Sequence, residues 1–174
     1  MRKALNFLII LLIITLLGGV FWFVYTPDKY NPTDIDNLVE QNFKVYPNEY
    51  TSSLKFTDST SLALTAMKFY TLGNYKMAME TFQKYEPEPK DDGYYNLYLG
   101  ICYYKIGYNS IAVGHFEESM SSFKMFNDKC VAKWYLCLGL LKSNRVKEAK
   151  VLLKELVNQN TLYEKKAKEL LKAL

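Results

Sequence analysis

Residues 70 to 82, YTLGNYKMAMETF, and residues 104 to 116, YKIGYNSIAVGHF, carry Tyr, Gly, Ala and Phe in the same order at an offset of 34 residues. A chain that repeats a phrase at this interval builds one small unit several times, and each unit must hide its apolar face against the next. In the first copy Gly73 marks a turn, with Ala66 and Phe69 before it and Tyr75, Ala78 and Phe82 after it. In the second copy Gly100 and Tyr103 precede Gly107, and Asn109, Ala112 and Phe116 follow it. A third copy, displaced by 37 residues, offers Cys137, Leu140, Asn144, Val146, Ala149 and Leu153. Its three additional residues are expected in the connection around Asn127 to Lys129.

Leu99-Gly100, Tyr103, Gly107, Ala112 and Phe116 together resemble the tetratricopeptide repeat (TPR), a 34-residue helical hairpin, and the first copy matches it from Phe69 onward. The third copy departs from the pattern at its turn and at its aromatic positions. The resemblance covers about residues 60 to 158 and implies an all-α fold. That fold is a TPR-like right-handed superhelix of about three helical hairpins, near 60–92, 93–126 and 130–160, closed by a capping helix at 161–174. Small residues at Ala66, Gly100 and Cys137 are expected to face Ala78, Ala112 and Ala149, which lets paired helices approach closely. For the cap, Leu162, Ala167, Leu170, Leu171 and Leu174 form the apolar face and the charges from Glu164 to Glu169 the other.

The N-terminus sets a second constraint. Residues 1 to 3 are MRK, and the apolar run from Leu5 to Tyr25 is 21 residues long. As a helix it would span about 31 Å, the thickness of a bilayer's hydrocarbon core. A cleaved signal peptide is the competing reading. The run exceeds a signal h-region, however, and Phe21, Trp22, Phe23 and Tyr25 stand where a cleavage site needs small residues. Residues 1–25 are therefore expected to be an uncleaved signal-anchor helix. Arg2 and Lys3 before the run place the N-terminus in the cytoplasm and the domain outside, in the periplasm of a Gram-negative cell.

Residues 26–59 hold Pro27, Pro32 and Pro47 among many Asn, Asp, Thr and Ser residues, so no single helix can run through them. Leu38, Val39, Phe43, Val45, Tyr46, Tyr50 and Phe56 are too apolar for a linker that only stays in water. The expectation is a stalk partly packed on the repeats, with a short helix around Asp36 to Asn42 and then an extended piece. Anchor, stalk and repeats together look like small membrane-tethered TPR proteins of bacterial envelopes.

Charge and cysteines narrow the function classes. Residues 142 to 174 hold nine Lys or Arg against four Asp or Glu, while residues 26 to 141 hold eleven against fourteen. The basic end alternates with Glu along helices and brings no aromatic stacking platform, so it reads as a solvated helix face and not a nucleic-acid site. Cys102, Cys130 and Cys137 are at no motif spacing, which supports neither a disulfide framework nor a metal site. Free thiols suit a reducing compartment slightly better than an external one. The lone histidine, His115, has no triad around it, and Glu117-Glu118 and Asp91-Asp92 are adjacent pairs that point apart. The chain reads as non-catalytic, with no cofactor and no metal.

What remains is a surface. In TPR proteins the stacked first helices line an inner groove that takes a peptide. The resemblance assigns that groove here to Met67, Tyr70, Tyr94, Leu97, Ile101, Tyr104, Lys105, Trp134, Leu138, Leu141 and Lys142. Gly73, Ala78, Phe82, Gly100, Gly107, Ala112, Phe116 and Ala149 are assigned to packing within the stack. The set of Lys, Asn and Arg that holds a partner's C-terminal carboxylate is missing, so the groove is apolar and aromatic. Such a groove must be covered. It would bind an apolar segment of another envelope protein, with Trp134, Tyr104, Tyr94 and Tyr70 as anchors. Alternatively its own stalk closes it, or the chain is a cytoplasm-facing targeting receptor; self-association into a homo-oligomer stays open.

Overall fold

The computed structural model describes residue 15 and residues 31–49, 60–85, 92–159 and 161–174. The expected membrane anchor, residues 5–25, lies outside the described residues except at position 15. Among the described residues no helix is long and apolar enough to cross a membrane.

Within the unit Asn31–Leu174 the protein is all-α. Its described helices are α1 (Pro32–Asn42), α2 (Thr60–Thr71), α3 (Tyr75–Phe82), α4 (Gly93–Lys105), α5 (Asn109–Ser122), α6 (Phe126–Lys142), α7 (Val146–Asn158) and α8 (Glu164–Ala173). From α2 onward each helix packs mainly on its neighbours in sequence, as a linear stack of hairpins does.

The three hairpin turns are built alike. At the end of α2, Gly73 takes φ 76° and the Asn74 amide donates to the Phe69 carbonyl at 2.9 Å. At the end of α4, Gly107 takes φ 89° and the Tyr108 amide donates to the Tyr103 carbonyl at 2.9 Å. At the end of α6 the same geometry falls on Asn144, φ 59°, with Arg145 donating to Leu140 at 2.8 Å. Each is a helix stop in which a left-handed residue lets the next amide reach back to an orphan carbonyl. Asparagine tolerates that conformation better than other non-glycine residues.

The small residues sit where the helices meet. Ala66, Ala78, Ala112, Ala149 and Cys137 are fully buried, and a Cβ on Gly100 would lie 2.7 Å from the Phe116 ring. Phe82 and Phe116 are fully buried between hairpins. Burial of this kind stabilises by about 25 cal/mol for each Å² of apolar surface removed from water.

Three expectations need correction. The three additional residues of the third copy are not in a connection: α6 begins at Phe126, so Asn127 to Lys129 form its first turn, and the link from α5 is only residues 123–125. The stalk helix starts at Pro32, four residues before Asp36. Asn31 caps it by accepting from the Thr33 amide at 3.2 Å, and proline suits a first helical turn because no partner is needed for its nitrogen there. Leu162 does not join the cap's apolar face: it precedes α8 and is 88% exposed, while Ala167 and Leu170 are buried against α7.

Candidate functional site

The inner face of the first helices α2, α4 and α6 is not open. Residues 31–49 run across it, α1 packing on α6 through the buried Ile35 and Val39, and residues 43–49 continuing as an extended strap over the tyrosines of all three hairpins.

Three hydroxyls hold the strap by its main chain. Tyr135 on α6 donates to the Lys44 carbonyl at 2.5 Å. Tyr70 on α2 donates to the Tyr46 carbonyl at 2.8 Å. Tyr98 on α4 donates to the Pro47 carbonyl at 2.6 Å and accepts from the Glu49 amide at 2.9 Å. Burial pushes Tyr70 and Tyr135 well above the ordinary phenol range, so these hydroxyls stay protonated donors at any physiological pH.

Side chains add two ring anchors and an ionic one. Phe43 lies flat on Tyr104, centroids 4.0 Å apart, and meets Tyr135 edge-on at 5.5 Å. Tyr46 reaches Tyr98 at 5.9 Å and gives its hydroxyl to Glu49 at 2.9 Å. Lys142 pairs with Asp36 at 2.9 Å and with Glu40 at 3.7 Å, fixing α1 to the end of α6. The Lys105 ammonium stands 5.9 Å from the Phe43 ring and 5.7 Å from the Tyr75 ring, within cation–π range.

Against this geometry the predicted groove residues separate. Met67, Leu97, Ile101, Leu138 and Leu141 are fully buried and make core. Tyr70, Tyr104, Lys105 and Lys142 touch the strap or α1. Tyr94 sets its ring against Phe123 at 4.8 Å and its hydroxyl on Asp128 at 3.2 Å. Trp134 is not an available anchor: it is 2% exposed, stacked on Tyr163 at 5.1 Å with the Lys166 ammonium 5.9 Å from its ring. Tyr163 enters from the residues before the cap, a contact that repeat spacing does not foresee.

The two strap-holding residues outside the predicted set, Tyr98 and Tyr135, each stand nine residues before a turn residue, Gly107 and Asn144. That shared slot is a signal in the sequence, since a buried tyrosine needs a hydrogen-bond acceptor and two copies in one slot imply a common one.

The lone histidine and the three cysteines lie in settled surroundings. His115 lies with Nδ1 3.1 Å from Asn96 Oδ1, its ring stacked on Tyr103 at 5.3 Å. Cys102, Cys130 and Cys137 are free and buried. Among the described residues no group of three or more His, Cys, Asp and Glu is arranged to hold a metal ion. What the site offers chemically is hydrogen-bond donors for peptide carbonyls and an aromatic slot. No protein-family model and no curated protein matches the chain.

Proposed function

We propose that this chain is a non-catalytic TPR-type interaction scaffold, tethered to a membrane through residues 5–25, whose inner groove is closed by its own stalk. The observation that carries the reading is the row of three tyrosine hydroxyls on three successive hairpins, each donating to a carbonyl of one extended segment. A surface that recognises main chain in this way is a peptide-binding surface. Supporting the TPR assignment are the repeated turn geometry at Gly73, Gly107 and Asn144 and the close approach at Gly100.

The placement of the domain outside the cytoplasm rests on Arg2 and Lys3. The thiols no longer weigh against it. With Cys102, Cys130 and Cys137 all buried, they are shielded from oxidants and carry no information about the compartment.

The test is thermal melting of the full-length protein in detergent against a variant lacking residues 37–52. The deletion removes the buried Val39, the Phe43 stack and three hydroxyl–carbonyl bonds, together worth about 5 kcal/mol, and should lower Tm by about 10 °C or more. An unchanged Tm would overturn the closed-groove reading.

A further inference from the structure

The strap and the helix before it are held very differently. In α1, Ile35 is 3% exposed and Val39 0% exposed, so that helix is a fixed part of the core. Between 43 and 49 no residue is buried: Phe43 and Tyr46 are half-buried and the other five are exposed. Yet beneath them Tyr70, Tyr98 and Tyr135 are buried. The strap thus lies over the three tyrosines while contributing little interior of its own, and it is the less firmly seated part of the stalk, held by main-chain hydrogen bonds and two half-buried rings where α1 is held by buried side chains. The hydroxyls it would release become solvated and leave no orphaned buried donor.

Tyr70 and Tyr135 donate to carbonyl oxygens, and Tyr98 donates to one and accepts from the Glu49 amide, so these hydroxyls engage main-chain groups that carry no side-chain identity. The sequence-selective element is the slot of Phe43 between Tyr104, Tyr135 and Lys105. Beside the strap a cleft of about 440 Å³ runs between residues 45–48 and the α2–α3 turn, with the exposed Leu72 on its rim. It lies alongside the second half of the strap and gives an incoming segment a place to start.

We propose that residues 43–49 are an internal stand-in for a ligand, and that the groove accepts in their place an extended segment of a partner protein carrying an aromatic residue for the Phe43 slot. This inference rests on the closed-groove reading above and fails separately from it, because that reading is judged by melting and this one by exchange in trans.

The probe is a fluorescent peptide of residues 41–49, QNFKVYPNE, titrated by anisotropy into the full-length protein in detergent. The protein is wild type or the variant Phe43→Ala, Tyr46→Ala, which loosens the strap and leaves α1 and the tyrosine floor intact. The variant is expected to bind the peptide at least fivefold more tightly than wild type does. A peptide with alanine in place of its phenylalanine is expected to bind the variant at least fivefold more weakly. A smaller difference in either comparison, or no binding to a folded variant, overturns the proposal. Should the double variant lose its helicity, Tyr46→Ala alone, which keeps the Phe43 stack, gives the same comparison under the same criteria. Dimerisation of the wild-type chain that the free peptide reverses would assign the groove to a second copy's strap and overturn the partner assignment.

Discussion

Phe43 lies face to face with Tyr104, ring centroids 4.0 Å apart and planes 4° apart, and this pair joins the extended strap to the end of α4. Offset or stacked aromatic pairs contribute about 1 kcal/mol beyond the area they bury. A double-mutant cycle with Phe43→Ala and Tyr104→Ala, followed by denaturant unfolding, should therefore show a coupling of about 1 kcal/mol. Strict additivity would mean that the rings are neighbours without holding the strap.

Close approach at Gly100 and the left-handed turn at Asn144 give stability predictions of opposite sign. An alanine Cβ at Gly100 would stand 2.7 Å from the Phe116 ring, and Phe116 is itself fully buried. Gly100→Ala should cost about 2 kcal/mol through overpacking. Asn144, at φ 59°, pays a conformational penalty that glycine does not, so Asn144→Gly should gain about 0.5 kcal/mol. Urea midpoints of the two variants, moving apart from wild type in opposite directions, would check both.

The parts of this fold that are legible in the sequence are those fixed by local sterics. Gly73 and Gly107 announce left-handed turns because few other residues adopt them, and Gly100 announces a close approach. Asn144 is legible only once the offset of 37 is accepted. The site is less legible for a physical reason. Tyr70, Tyr98 and Tyr135 bond to carbonyls of Lys44, Tyr46 and Pro47, and a backbone acceptor leaves no mark on the identity of the residue that carries it. Phe43 and Tyr46 betray that the stalk must lie on something, but nothing in their spacing says which face. The extra turn at the start of α6 escaped because Asn127, Asp128 and Lys129 are polar and a polar first turn looks like a loop.

The buried thiols predict the background of a topology experiment. Burial pushes the Cys102 thiol up to about 12 and raises Cys130 and Cys137 as well, so almost no thiolate exists at neutral pH and access is closed. In the folded protein all three should react with a membrane-impermeant maleimide at least about 100-fold more slowly than an exposed cysteine. Leu162, 88% exposed, is the position for that cysteine. Leu162→Cys should label in intact cells if the domain lies outside. Labelling only after lysis would place the domain in the cytoplasm and reverse the orientation read from Arg2 and Lys3.

His115 makes the protein's stability depend on pH in a direction that can be worked out from its contacts. The Asn96 amide nitrogen donates to the Asp92 carbonyl at 3.3 Å, which turns its oxygen toward His115, and that oxygen can only accept. The ring is therefore held with a proton on Nδ1 and stacked on Tyr103 in its neutral form. Burial lowers its pKa below the ordinary 6.5, with Glu118, 3.7 Å away, pulling more weakly in the other direction. The unfolded chain then takes up the proton at a higher pH than the folded one. Stability is complete above about pH 6.5 and declines as pH falls through the depressed folded value. Since the chain has one histidine, a fall in Tm between pH 7.5 and 5.5 belongs largely to this ring. His115→Gln, which has a donor for Asn96 and no charge to acquire, should flatten that fall; a Tm that rises on acidification would show that the Glu118 attraction outweighs burial.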